Sequence, residues 1–162
     1  VAVLATLAYR HWQPPVSAPP EALAEGTVYQ VKRVVDGDTI VLANDARVRL
    51  IGADTPETVK PNSPVEPWGP EATQFTRDFL ADGTVRLQLD RERLDKYGRF
   101  LAYVWVDDRM LNEELIRVGL ARARTEFRYS SSMKGRFRRA EEEARAAGRA
   151  IWSGQSGSGT RL

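Results

Sequence analysis

Cysteine is absent from this 162-residue chain, and histidine occurs once, at His11. The first absence removes disulfides, thiolate nucleophiles and cysteine-ligated zinc, although it does not fix the compartment. The second argues against a Ser-His-Asp triad or a multi-histidine metal site, the more so because His11 lies in a proline-rich leader. Long apolar runs are missing as well. The nearest approach is "VAVLATLAY" at residues 1–9, whereas spanning a bilayer takes about 20 residues. Neither sign of charge dominates, with 24 Lys and Arg against 22 Asp and Glu. What chemistry remains must run on carboxylates, arginines, tyrosines or a hard cation.

The balanced total hides an uneven distribution. Between Arg122 and Arg149 nine basic residues face four glutamates, a local excess of five. A basic C-terminal third suits an anionic partner, while a charge run by itself is also what a solvated helix face presents. At the other end, residues 1–26 combine the short apolar stretch with "RHWQPPVSAPPEALAEG" and are read as a leader or linker. They fit a truncated signal peptide or membrane tether, so the expected location is secreted, periplasmic or anchored outside the cytoplasm. Residues 27–153 are the expected folded domain, and the Ser/Gly-rich 154–162 an expected disordered tail.

Within the domain, "TVYQVKRVV" (27–35) alternates and is rich in valine, "DGD" (36–38) is turn chemistry, and "TIVLA" resumes a strand. "NDA" (44–46) makes a second turn before "RVRLI", in which Val48 and Leu50 share one face and Arg47, Arg49 and Ile51 the other. "TVKPNSPVEPW" (58–68) is a loop. A first helix follows in "GPEATQFTRDFLADG", with Pro70 in its first turn, an apolar stripe at Ala72, Phe75, Phe79 and Leu80, and Gly83 as its stop. "TVRLQLD" (84–90) and "RFLAYVWVDD" (99–108) are strands joined by the charged turn "RERLDKYG". "NEELIRVGLA" is a second helix, and a third lies within 131–149, where Met133, Phe137, Ala140 and Ala144 form a stripe and Glu141 to Glu143 face water. The order β-β-β-α-β-β-α-α describes an α+β domain: a five-stranded closed barrel of the OB type carrying three helices.

Three sets of residues carry possible chemistry. Asp38 follows the first turn and Asp54 ends the third strand, so the two strand ends can lie near each other, although Asp36 and Asp38 also read simply as turn residues around Gly37. Two carboxylates held close repel unless a cation lies between them, and with the Thr55 carbonyl they would suit Ca²⁺. Arg49 and Arg99 are permanent cations whose planar forks match phosphate oxygens. Glu57, three residues beyond Asp54, could orient or deprotonate a water, or simply cap Thr58.

The ordered set "VVDGDTIVL", "RVRLIGADTPET", "WGPEATQFT", "DKYGRFLAYVWV", "LNEELIRVGLARA" and "AIWS" resembles the thermonuclease, or staphylococcal nuclease-like, family from about Thr27 to Ser153. The resemblance implies a Ca²⁺-dependent endonuclease on an OB barrel that cuts DNA and/or RNA and leaves 3′-phosphate ends. It assigns the metal to Asp38, Asp54 and the Thr55 carbonyl, the catalytic set to Arg49, Glu57 and Arg99, and phosphate contacts to Lys96 and Tyr97. It implies a monomer with no obligate protein partner. One departure stands out. Where the family carries a base-stacking tyrosine this chain has Thr125, with Phe127 at the second aromatic position and Arg122, Arg124 and Arg128 close by. Loss of a stack worth about 1–3 kcal/mol predicts weaker binding of single nucleotides, offset on polymers by backbone contacts of those arginines. The competing expectation is a domain of the same fold that binds nucleic acid or protein and cleaves weakly.

Overall fold

The computed structural model describes residues 22–58 and 64–154. The expected leader up to residue 21, part of the 58–68 loop and the tail beyond 154 therefore lie outside the described residues. The meander forms as β1 (Val28–Asp36), β2 (Thr39–Leu42) and β3 (Arg47–Leu50), joined by antiparallel pairing. A two-residue strand, β4 (Ala53–Asp54), follows, then α1 (Gly69–Phe79). Two long strands, β5 (Thr84–Leu94) and β6 (Phe100–Val106), pair with each other, and β5 pairs with β1. The chain continues through β7 (Arg109–Met110), α2 (Leu111–Arg117), β8 (Arg122–Ala123), α3 (Ser131–Ala146) and a single 3-10 turn at Ala150–Trp152.

Strand order β3-β2-β1-β5-β6 would be an open sheet were it not for a further parallel pairing between β3 and β6. Val48 faces Phe100, Arg49 faces Leu101 and Leu50 faces Ala102. That seam closes a mixed five-stranded barrel and leaves no free edge among these strands. The expected α+β barrel with three helices is what the chain forms. Beyond the expected elements, the described residues add β7 at the edge of β6 and the small β4–β8 pair, each too short to leave a periodic signature.

Alternation explains the core. Val48 and Leu50 of β3 are buried with Ile40 and Leu42 of β2, Leu87 of β5, and Ala102 and Val104 of β6. Leu101, Tyr103 and Trp105 point the other way, and Tyr103 is covered by Phe137 of α3, ring centroids 6.2 Å apart. Ile51, expected beside the arginines, is nonetheless buried. Gly52 takes φ +70°, turning the chain so that strand parity no longer applies beyond it. On α1 the apolar stripe is interrupted by two buried threonines. Thr73 donates to the Gly69 carbonyl at 3.1 Å and Thr76 to the Gly37 carbonyl at 2.6 Å, which satisfies both hydroxyls. Of the α3 glutamates Glu142 and Glu143 are exposed, whereas Glu141 turns inward and accepts the Ala123 N–H at 3.0 Å. The packed unit also starts before Thr27, because Leu23 is only 3% exposed and sits in the core cluster.

Asn112, on α2, ties the barrel together from inside. Fully buried, it accepts the Val104 N–H at 2.9 Å and donates to the carbonyls of Ile51 at 2.9 Å and Ala102 at 3.2 Å. Asn112→Ala takes this partner from the Val104 N–H on β6 and from the Ile51 carbonyl in the turn after β3, so urea denaturation is expected to show a loss of about 2–4 kcal/mol with the fold retained.

Candidate active site

The "DGD" turn sets the first wall. Gly37 is required for space rather than for a special dihedral, since a Cβ there would lie 2.8 Å from both Ala72 Cβ and Thr55 Cγ2. The turn is thus pressed between α1 and the end of β4, and Asp38 is carried inward, 4% exposed. Its two oxygens have different partners. Oδ2 accepts the Thr55 N–H at 2.9 Å and the Thr55 hydroxyl at 3.0 Å. Oδ1 accepts the Thr39 hydroxyl at 3.1 Å and meets the Arg49 guanidinium.

Arg49 also reaches Asp54, with Nη2 2.6 Å from Oδ1. The second oxygen of Asp54 is taken by Arg124, whose Nη1 lies 2.8 Å from Oδ2 and whose Nε donates to Glu126 at 2.5 Å. Charges therefore alternate along one line: Asp38, Arg49, Asp54, Arg124, Glu126. Burial pulls the Arg49 guanidinium below its ordinary pKa, Asp54 opposes that shift, and the neighbouring Arg99 adds to it. Burial likewise pushes the Asp36 carboxyl up, with Arg49 opposing.

Arg99 is delivered by a turn organised around Asp95. One oxygen of Asp95 accepts the N–H groups of Tyr97 (2.9 Å) and Arg99 (3.0 Å), and the other accepts Arg99 Nε at 2.7 Å. This is an Asx-type turn in which a single carboxylate fixes both the backbone and the guanidinium. Tyr97 stands out at the tip, 69% exposed, with Lys96 Nζ 5.0 Å and Arg99 Cζ 5.4 Å from its ring centroid. Glu57 is placed by Glu66, which accepts the Glu57 N–H at 3.0 Å; Glu57 Oε1 in turn accepts the Thr58 N–H at 3.1 Å.

Most of the expected residues converge. Asp38, Arg49, Asp54, Thr55, Glu57, Tyr97 and Arg99 line one concavity of about 570 Å³. A second, of about 530 Å³, shares Arg49, Asp54, Tyr97 and Arg99 and adds Lys96, Arg124 and Phe127. Arg122 stands apart, lying over the Trp152 ring at 4.5 Å and lining a different groove with Trp68.

The family model for staphylococcal nuclease homologues matches residues 47–154. The chain belongs to the staphylococcal nuclease family. It is similar to the thermonuclease of Staphylococcus hyicus, 46% identical over 133 residues that cover 80% of this chain and 78% of that protein. It is 59% identical to the thermonuclease of Staphylococcus intermedius over 102 residues, 61% of each chain, and 42% identical to endonuclease YncB of Bacillus subtilis over 125 residues, 75% of this chain and 59% of that one. The chain thus spans about 61% of the S. intermedius protein's length.

The donor chemistry fits the hard cation that such a family implies. Oδ1 of Asp38 and Oδ1 of Asp54 both lie against one positive centre, the Arg49 guanidinium, so two carboxylate oxygens already converge on a cation. Among the described residues no three acidic, imidazole or thiol side chains gather to hold a metal, so any protein ligation here would fall to the two carboxylates and backbone oxygen.

Sequence reasoning passed over Asp95 and Glu66, which position Arg99 and the Glu57 backbone, and the contact of Arg124 with Asp54. The Asp-x-x-Gly-Arg spacing of the turn was a usable signal for Asp95. No local signal exists for Arg124, which meets Asp54 across 70 positions.

Burial raises the Asp95 carboxyl, but the hydrogen bonds from Arg99 and Tyr97 outweigh it and leave the group below its ordinary 3.8. A depressed carboxylate contributes its stability above the unfolded-state value and loses it as pH falls through the folded-state value. Wild type is therefore expected to be more stable than Asp95→Asn by about 1–3 kcal/mol at pH 6, with the gap closing as acid is added below pH 4; paired urea titrations across pH measure it.

Proposed function

We propose that this chain is a Ca²⁺-dependent nuclease that hydrolyses phosphodiester bonds of DNA and/or RNA endonucleolytically and leaves 3′-phosphate ends. The observation that carries the reading is the placement of Arg49, Arg99, Glu57, Asp38 and Asp54 around one hollow, after a chain path that keeps them up to 61 positions apart. A domain that only binds has little physical reason to gather both arginines, both aspartates and the glutamate in one partly buried hollow at the cost of desolvating them.

In this reading Asp38, Asp54 and the Thr55 carbonyl hold Ca²⁺, which supplies Lewis-acid polarisation of a phosphate oxygen. Glu57 orients a water toward phosphorus and takes or shares its proton. The water oxygen bonds to phosphorus, the bond to the 5′ oxygen breaks, and the departing oxygen takes a proton from solvent while Glu57 returns the one it accepted to solvent. Arg49 and Arg99 donate to the phosphoryl oxygens, whose negative charge grows in the five-coordinate transition state, and their forks match that geometry. Lys96 and Tyr97, at the exposed tip beside Arg99, contact the neighbouring phosphate, while Arg122, Arg124 and Phe127 engage the polymer. The protein acts as a monomer with no obligate protein partner. A secreted, periplasmic or tethered location, supported by the apolar leader, completes the proposal; no described helix is long and apolar enough to cross a membrane.

Gel digestion of single- and double-stranded DNA and RNA, with Ca²⁺ and with EGTA, tests this directly. Cleavage is expected with Ca²⁺ and its loss on chelation; Ca²⁺-independent binding without cleavage would favour the binding module instead. Arg49→Ala, Glu57→Ala and Arg99→Ala are each expected to cost about 10² or more in rate, and wild-type-like digestion by any of them removes its assigned role. Thr125→Tyr is expected to tighten the binding of a single nucleotide by about tenfold, the worth of a regained base stack, as read by titration calorimetry.

A further inference from the structure

The two proposed metal aspartates share a feature that chain order does not suggest. Each has one oxygen turned toward the common centre and the other already engaged. For Asp38 the engaged oxygen is Oδ2, held by the N–H and hydroxyl of Thr55. For Asp54 it is also Oδ2, held by Nη1 of Arg124 at 2.8 Å. Arg124 is itself well anchored. Its N–H donates to the Gly52 carbonyl at 2.9 Å, its Nε to Glu126 at 2.5 Å, and its guanidinium lies 5.4 Å from the Phe127 ring centroid. Backbone pairing of Ala53 with Ala123 and of Asp54 with Arg122 fixes the register from which it reaches.

We infer that Arg124 is a positioning residue that makes Asp54 a one-oxygen ligand and lowers the affinity of the site for its cation. The inference rests on the reading of Asp38 and Asp54 as the metal ligands. Ca²⁺ takes six to eight oxygens and accepts carboxylates through one oxygen or two. With both Oδ2 atoms engaged, the two carboxylates together fill two positions rather than four. Positions remain for water and for a phosphate oxygen, which a nuclease needs at the same ion. The positive charge of Arg124 acts in the same direction by partly offsetting Asp54 and repelling a divalent cation. Glu126, on the far side of Arg124, holds the guanidinium in place against that repulsion. Arg124 thereby trades tight metal binding for an accessible coordination sphere.

Europium luminescence on the full chain separates these effects, because decay rates in H₂O and D₂O count the waters on the bound ion and the titration gives its affinity. Calorimetry with Ca²⁺ repeats the affinity measurement with the proposed metal. In Arg124→Met, Asp54 is free to turn both oxygens to the ion, so about one coordinated water is expected to be lost and affinity to rise by about fivefold. Arg124→Gln keeps an N–H donor but no charge, and is expected to tighten binding with the water count unchanged. Arg124→Lys keeps the charge and is expected to remain near wild type in affinity. The side chain of Arg124 is 41% exposed, so all three changes should be accommodated, and the glutamine variant alone still tests the charge component. Equal affinity and hydration in wild type and Arg124→Met, or weaker metal binding in that variant, overturns the inference. Equal europium uptake by wild type and an Asp38→Asn, Asp54→Asn double variant instead overturns the metal reading on which it rests.

Discussion

The parallel seam between β3 and β6 is the constraint from which the rest of the molecule follows. Without it the strands are a meander and a hairpin with two open edges. With it Arg49 lies opposite Leu101, and Arg99, one residue before β6, arrives at the same rim. The two arginines repel each other, and Arg99 counts among the influences that depress the Arg49 pKa. Backbone hydrogen bonds and buried apolar residues on the inward face of the seam hold them together regardless. The barrel core, through Val48, Leu50, Ala102 and Val104, therefore holds at one rim two guanidinium groups that repel each other, each paired with its own carboxylates.

Long, strongly periodic elements were legible before any coordinates. The barrel, its three helices and the inward facing of Val48 and Leu50 follow from alternation, turn chemistry and helical spacing. What failed did so for identifiable reasons. The face that Ile51 shares with the arginines does not make it exposed, because alternation gives facing and not what packs over a face. Thr73 and Thr76 were invisible to an apolar stripe because their burial is made tolerable by hydroxyl bonds to backbone carbonyls. Glu141 was read as solvated because nothing in an acidic run says that one member will turn to meet the Ala123 N–H. Strands of two residues carry no period at all.

The site divides along the same line. Arg49, Asp54 and Glu57 stand within nine residues of each other, so their proximity needs only the end of one strand. Asp38 and Arg99 reach them through tight turns whose chemistry, Asp-Gly-Asp and Asp-Lys-Tyr-Gly, is written locally. Arg124 is different: it depends on the β4–β8 pairing, on α3 lending Glu141 to that pairing, and on Gly52 accepting its N–H. None of those is a property of the residues near Arg124. Arg122, two positions earlier, lies over Trp152 and lines the adjoining groove on the other side of Asp54 and Thr55, so two arginines that look equivalent in the chain flank Asp54 differently.

That difference bears on how the rim handles its own charge. Asp38 and Asp54 are neutralised in the described structure by Arg49, the residue proposed to serve the phosphate. One guanidinium cannot hold both carboxylates and a phosphoryl group at full strength. A divalent cation taking over the Oδ1 atoms would release Arg49 toward the substrate, so metal and phosphate binding would support each other through a shared arginine. Arg124 meets the other oxygen of Asp54, Oδ2, so a cation at the Oδ1 atoms would not compete with it directly. In that reading Arg49 would give up the two Oδ1 atoms for the phosphate, while Arg124 would keep its place on Oδ2 of Asp54.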